Sequence, residues 1–195
     1  MMLTLNRSVV AALLLVLGAD FGHAADFSFT IKGRSLGQST EIACQGVAPS
    51  SQEALLRDAG VVDIQFPAES CQVYLDSVAG VSADEYARLL FWRGKLIRMV
   101  IPFGSLDLEP LAALRETLVN AYGRPAVKRS SPFRTDVWRK GEERLELEQT
   151  DRLPSEVDLY LTQSVAWAEY LKARQQADLK IKQLQRSSRQ RNLIQ

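Results

Sequence analysis

Hydrophobic and polar residues alternate or cluster in short runs along much of the chain, which is typical of strands. Two pairs of such runs are each separated by a short polar turn that contains glycine, as in a β-hairpin. The first pair is Ala87–Trp92 and Leu96–Phe103, around Arg93-Gly94-Lys95, and the second is Thr135–Arg139 and Glu143–Gln149, around Lys140-Gly141. The sequence therefore predicts two hairpins, and Pro102 and Gly104 are expected to end the first.

Alternation with a period of two residues also predicts four separate strands. They are Phe27–Lys32, Val62–Phe66, Cys71–Leu75 and Val157–Leu161. Helical signals lie between them. A short helix over Ser51–Asp58 has Ser50 as its cap, and a longer helix, capped by Ser105 or Asp107, should stop at Gly123. The apolar stripe of the longer helix is Leu111, Leu114, Leu118 and Ala121.

From Ser164 onwards the apolar residues recur with helical spacing, close to the heptad repeat of a coiled coil. They are Ala166, Tyr170, Ala173, Ala177, Ile181 and Leu184. We expect this helix to dock on its own domain through about Ala177 and its basic end to be free. Trp167 and Tyr170 should hold its start against the sheet.

Together these elements predict an α+β fold: an antiparallel sheet built from hairpins, a packed helix and a long C-terminal helix. One domain is expected over residues 26–163, followed by a basic helix and tail over 164–195. The size of the domain is sufficient for one hydrophobic core.

The N-terminus has the order of a signal peptide. Arg7 is the only charged residue before the apolar run Val9–Leu17, and the small residues Gly22 and Ala24 suit signal peptidase. We expect residues 1–24 to be removed by cleavage near Ala24, and the mature protein to be soluble and periplasmic or secreted. The alternative is a buried N-terminal helix. No later stretch is apolar enough to span a membrane.

Charge is distributed unevenly along the chain. The whole sequence has a net charge of +1. Residues 164–195 contain seven basic and two acidic side chains, a net charge of +5, whereas residues 25–163 have a net charge of −4. A mildly acidic body with a basic tail does not indicate a nucleic-acid-binding protein.

The two cysteines, Cys44 and Cys71, are expected to form a structural disulfide, because an even number of cysteines after a signal peptide favours a bridge. The only histidine, His23, lies in the predicted signal peptide. Its removal would exclude Ser-His-Asp and Cys-His catalysis and every histidine-based metal site. We therefore expect no catalytic residue, no metal and no cofactor.

Two clusters could nevertheless carry chemistry. Glu142, Glu143, Glu146 and Glu148 lie close together on one arm of the second hairpin, and neighbours two apart on a strand share a face, as a hydrolytic pair or a calcium site requires. The alternative is a solvated surface. Basic residues beside aromatic ones on the first hairpin suggest a platform for an anion or a saccharide. The alternative is that these arginines face the solvent and bind no ligand. The candidate binding residues there are Arg88, Trp92, Arg93, Lys95 and Arg98.

The tail helix can fold back or reach a partner helix or an acidic surface. Its candidate partner-binding residues are Lys172, Arg174, Lys180, Lys182 and Arg186.

Several turns and helix ends in residues 86–150 resemble a pattern found in small exported proteins of the Gram-negative bacterial envelope. The residues concerned are Gly94-Lys95-Leu96, the helix residues Leu114 and Leu118 that lead to Ala121-Tyr122-Gly123-Arg124-Pro125, and Trp138, Leu145 and Leu147 in the strands that follow. The resemblance implies a compact periplasmic α+β module and transfers no catalytic residue. The chain lacks the lipid-anchor cysteine common among envelope-assembly lipoproteins.

The sequence thus favours an exported, non-enzymatic protein-binding or adaptor protein of the bacterial envelope, with a protein partner there. One alternative is a module that binds a small ligand or inhibits an enzyme. Another is a carboxylate-dependent hydrolase.

Overall fold

The structure, a computed structural model, describes residues 28–58, 65–83 and 86–192, with side chains up to Ser187. The predicted signal peptide and most of the predicted strand Val62–Phe66 lie outside these ranges. The strands are β1 (Thr30–Ile31), β2 (Arg34–Ser35), β3 (Ser50–Ser51), β4 (Ala68–Val73), β5 (Ser77–Val78), β6 (Val81–Ser82), β7 (Ala87–Trp92), β8 (Lys95–Leu106), β9 (Ala126–Ser130), β10 (Phe133–Lys140), β11 (Glu143–Thr150) and β12 (Ser155–Gln163). The helices are α1 (Thr40–Cys44), α2 (Gln52–Asp58), α3 (Leu108–Tyr122) and α4 (Ser164–Asn192).

Eight strands form one antiparallel sheet in the order β3-β4-β7-β8-β12-β11-β10-β9. Both predicted hairpins are confirmed, β7 with β8 and β10 with β11. β12 joins them, because it pairs with β8 on one side and with β11 on the other. With its helices and its long C-terminal helix the fold is α+β, as predicted.

The first hairpin is longer than predicted. β8 continues through Pro102 and Gly104 to Leu106. Its pairing with β7 stops at Val100, so Pro102, which has no N–H group, needs no partner on that side. On the other side the register with β12 shifts between Val157 and Asp158. This bulge accommodates the proline inside the strand.

One side of the sheet, which we term the inner face, carries the main hydrophobic core. Its fully buried members on the central strands include Leu89, Met99, Ile101, Leu145, Leu147, Leu159 and Leu161. Three residues of the predicted stripe on α3, Leu111, Leu114 and Leu118, are buried in the same core. Ala121, predicted as the fourth, is exposed.

The C-terminal end of α3 is tied to the sheet by Trp138, which is buried in β10. Its indole Nε1 donates a hydrogen bond of 2.7 Å to the carbonyl oxygen of Gly123. Gly123 ends the helix as predicted, with φ +80°, and its N–H donates to Val119 O at 2.8 Å. A residue with a side chain would be strained at this φ, so the helix stop and the anchor both depend on the glycine.

A buried carboxylate forms a second tie between α3 and the sheet. Asp136 in β10 is fully buried and accepts a hydrogen bond of 2.6 Å from Arg115 of α3. Arg134 also lies 3.2 Å from the same carboxylate. Two guanidinium groups therefore compensate the cost of removing this charge from water.

The predicted disulfide is present in the structure: Cys44, the last residue of α1, is bonded to Cys71 in β4. The bridge spans 27 residues of sequence and includes α2 in its loop. α2 starts one residue later than predicted, since the Ala54 N–H donates to Ser51 Oγ at 3.3 Å and Ser51, not Ser50, is the cap.

α4 packs on the opposite side of the sheet from α3, in a second hydrophobic cluster. The rings of Phe66, Trp92 and Tyr170 form its centre, with centroids 5.5 to 5.8 Å apart. Ala177 is fully buried, and Ile181 packs against the cluster one turn later. α4 therefore docks on its own domain as far as Ile181. Across the described ranges, no helix has an apolar stretch long enough to cross a bilayer.

Candidate functional site

The sheet surface opposite α3, which we term the outer face, carries the residues with the most distinctive chemistry. Strand pairing defines it: Arg88 lies opposite Val100, Leu90 opposite Arg98, and Tyr160 next to Val100. On the central strands its members include Arg88, Leu90, Val100, Arg98, Arg144, Glu146, Glu148, Asp158, Tyr160 and Thr162. α4 begins directly after β12 and covers one end of this face.

Arg98 lies where the sheet and the first turn of α4 meet. Its Cζ atom lies over two aromatic rings, 4.3 Å from the centroid of Trp167 and 4.9 Å from that of Tyr160. The guanidinium is partly buried, and this burial lowers its pKa from the usual value. Arginine stays protonated even so, so the site holds a desolvated cation fixed by two rings.

A cavity of about 410 Å³ opens beside this cation. It is lined by Arg88 and Arg98, by the Tyr160 and Trp167 rings, and by apolar side chains that include Val100. Its size suits a small ligand or the end of a chain.

The structure brings together only two of the five residues predicted as a platform. Arg88 and Arg98 share the cavity, whereas Trp92 is buried under α4 and does not line it. Arg93 is 3.4 Å from Glu169 of α4. Lys95 is exposed at the hairpin turn. Trp92 faces the same way as Arg88, but α4 covers that end of the outer face. A bulge in β8 also changes the register near the turn, so sequence proximity overstated the cluster.

Two aromatic residues of the cavity, Tyr160 and Trp167, were not among the predicted binding residues. The alternation of β12 places Tyr160 outward, which the sequence indicated. Trp167 was predicted to hold α4 to the sheet, and its ring also stacks on Tyr170. That β12 adjoins β8, and so brings both rings to Arg98, could be seen only in the sheet order.

Acidic residues lie on β11 and β12 of the same face, although none of them lines the cavity. Partial burial, with Asp158 and Glu146 nearby, raises the pKa of the Glu148 carboxyl. Tyr160 donates a hydrogen bond of 2.8 Å to Asp158, and burial together with this bond raises the pKa of the phenol. The outer face is therefore basic on β7 and β8, whereas on β11 and β12 the acidic residues outnumber the cation Arg144, which lies 3.0 Å from Glu146.

The raised pKa of Glu148 predicts a pH dependence of stability. Between its unfolded and folded pKa values the native state binds more protons than the unfolded state, so the free energy of unfolding falls as pH rises through this range. We expect Glu148→Gln to remove this part of the decline and Glu109→Gln, at an exposed position of α3, to keep it. Urea unfolding at a series of pH values from 4 upwards measures the free energy of unfolding across this range. Free glutamate titrates at about 4.3. Identical slopes for both variants would contradict the assignment.

The four glutamates predicted as a cluster are divided between two places. Glu146 and Glu148 share the outer face, where Glu146 lies 3.0 Å from Arg144. Glu143 instead accepts hydrogen bonds from the Ser28 hydroxyl and the Phe29 N–H, and Glu142 accepts one from Gln163. Among the residues that the structure describes, no three acidic, cysteine or histidine side chains are grouped so as to hold a metal ion.

The predicted partner-binding residues of α4 do not all face the same way. At about 100° per residue, Lys172, Lys182 and Arg186 fall within an arc of about 80°. We term these three residues the basic stripe. Arg174 is paired with Asp178 at 3.2 Å. The basic stripe lies across the helix from the docked residues Tyr170, Ala177 and Ile181, and all three of its members are exposed.

Comparison with known proteins adds no relative. The sequence matches no protein family and no curated protein, and the fold matches no solved structure. The functional argument therefore depends on the residues described above.

Proposed function

We propose that this chain is an exported, non-enzymatic adaptor protein of the bacterial envelope, which binds an acidic surface of a protein partner through the basic stripe of α4. The observation that carries the proposal is the orientation of this stripe. The domain holds one side of α4 and leaves Lys172, Lys182 and Arg186 on the opposite side.

The charges of the stripe are not used within the domain. Other cations of the chain have carboxylate partners, for example Arg93 with Glu169 and Arg174 with Asp178. None of the three stripe residues forms an ion pair or a hydrogen bond with another described residue. Positive charge of this kind favours association with a negative surface and raises the association rate.

The length of α4 also exceeds what docking requires. Among the described side chains Ile181 is the last that packs on the domain, and every side chain from Lys182 to Ser187 is exposed. The helix continues from Ile181 to Asn192, a rise of about 16 Å at 1.5 Å per residue. Docking alone gives no reason for this extension.

The disulfide supports export, because such bridges persist in oxidising compartments. With the predicted signal peptide, this favours the periplasm or the extracellular space. The resemblance in residues 86–150 favours the periplasm.

The proposal predicts that a partner captured by in-cell crosslinking and affinity purification of the tagged full chain is lost when the stripe is reversed. The test variant is Lys172→Glu with Lys182→Glu and Arg186→Glu. The matched control, Arg124→Glu with Lys128→Glu and Arg129→Glu, makes the same charge change at exposed positions before and within β9. We expect at least a tenfold loss of the captured partner for the first and little change for the second, since three favourable charges become repulsive.

A truncation separates the tail from the domain in the same experiment. Removing residues 184–195 keeps Ala177 and Ile181, so α4 remains docked. Capture should fall here as well. If one partner is captured equally by the wild type, the stripe variant and the truncation, α4 is not the binding element; if no partner is captured by any form, the adaptor function is wrong.

A further inference from the structure

Two arginines stand side by side on the outer face at the cavity beside α4. Arg88 is opposite Val100 and Arg98 is opposite Leu90 in the β7–β8 ladder, which makes the two arginines diagonal neighbours. Diagonal neighbours on one face have Cα atoms about 7 to 8 Å apart, within reach of one small anion for side chains of this length. Both side chains line the same cavity of about 410 Å³.

Neither guanidinium has a hydrogen-bond acceptor among the described residues. Arg98 contacts the rings of Tyr160 and Trp167, and its N–H groups have no partner within the ranges that the structure describes. Glu146 and Glu148 act on Arg98 electrostatically but do not form an ion pair with it. A partly buried guanidinium with free N–H groups, held in place by two rings, is prepared to bind a carboxylate through paired hydrogen bonds.

The remaining walls restrict the chemistry of the ligand. Leu90, Val100 and the two rings offer apolar surface. Glu146 and Glu148 act on Arg98 electrostatically, Arg144 offsets their charge there only in part, and the two carboxylates therefore repel additional negative charge. A multiply charged anion such as phosphate is disfavoured here. We propose that this cavity binds an organic carboxylate with a single negative charge and an apolar body, with the carboxylate on Arg88 and Arg98 and the body against Trp167 and Tyr160.

Such a carboxylate can belong to a free small acid or to the C-terminus of a peptide with an apolar last residue. The cavity lies apart from the basic stripe of α4, and this inference does not rest on the adaptor function. The two are tested by different variants and different measurements.

The test titrates the purified full chain with defined probes and follows binding by calorimetry and by ¹H–¹⁵N spectra. The probes are 3-phenylpropionate and its neutral amide, N-acetyl-Ala-Leu-Phe with a free carboxylate or a C-terminal amide, and inorganic phosphate. We expect at least one carboxylate to bind and to lose at least tenfold in affinity on Arg88→Met or Arg98→Met, because each removes charged hydrogen bonds. The matched control is Arg93→Met, whose guanidinium pairs with Glu169 outside the cavity, and it should bind as the wild type does.

The relative affinities of the probes identify the source of the carboxylate. Tighter binding of the peptide acid identifies a peptide end as the ligand, and tighter binding of 3-phenylpropionate identifies a small acid. The inference is wrong if no carboxylate binds at about 1 mM, if an amide or phosphate binds as tightly as the acids, or if Arg88→Met leaves affinity unchanged. Arg88 is exposed, so this variant remains informative even if Arg98→Met fails to fold.

Discussion

Removing the disulfide with Cys44→Ala and Cys71→Ala is expected to lower the free energy of unfolding by about 3.5 kcal/mol. The bridge closes a loop of 27 residues, and in the chain-entropy model the unfolded chain gains about this much conformational freedom without it. The bridge also connects α1 to β4 and so restrains the segment that carries α2. Urea unfolding monitored by circular dichroism measures the change.

The same chain with its disulfide reduced is the matched comparison for this prediction. Reduction retains both sulfur atoms in the core, where Cys44 and Cys71 are buried, so it isolates the effect of the crosslink from that of lost volume. A loss below about 1 kcal/mol on reduction would show that the crosslink contributes little. Two reactive thiols in the exported, unreduced protein would show that the bridge does not form.

Placing a charge in the contact between α4 and the sheet is expected to have an effect of similar size. Ala177 is fully buried in the hydrophobic cluster that also contains Phe66 and Trp92. Ala177→Asp should therefore cost about 3 kcal/mol or more, as unpaired buried charges do. The helix would avoid this cost by leaving the sheet, and the tryptophan emission should then shift to longer wavelength, because Trp92 and Trp167 lie in or beside this contact.

Gln176→Asp is the control, since it adds the same charge at an exposed position one residue away. We expect a change within about 0.5 kcal/mol for this variant. Urea unfolding monitored by tryptophan fluorescence and by circular dichroism compares the two. Equal stability and equal emission for Ala177→Asp and the wild type would mean that α4 is not docked as described.

Most local elements were predicted because their signals are local. The hairpins follow from apolar runs around Gly94 and Gly141, and α3 ends at Gly123 because glycine adopts the required backbone angle at little cost. The docked side of α4 was predicted from the helical spacing of its apolar residues, since the residues that face the domain must be apolar wherever the helix lies.

Elements whose existence depends on pairing were missed or misplaced. β9 has all five residues exposed and so shows no alternation; it forms because its backbone pairs with β10. β8 passes Pro102 because its neighbour on one side has ended and a bulge absorbs the mismatch on the other. Neither the pairing of β9 nor the continuation of β8 through Pro102 can be predicted from local sequence patterns.

The candidate site shows the same division. The outward positions of Arg88, Arg98 and Tyr160 follow from alternation within their strands. Their convergence with Trp167 follows from β12 lying between the two hairpins and α4 turning back over the sheet. Trp92 and Arg93 were grouped with these arginines because they are close in sequence, yet one is buried and the other pairs with Glu169.

By itself, the sequence determined the α+β class, both hairpins and the docked side of α4, because each depends on residue type at a short, fixed spacing. It also determined the pairing of Cys44 with Cys71, because two cysteines can pair in only one way. Only the tertiary structure decided the strand order, the length of β8 and the cavity between Arg98 and Trp167. These depend on contacts between residues far apart in the chain, and the free energy of such contacts comes from burial and pairing that no local pattern records.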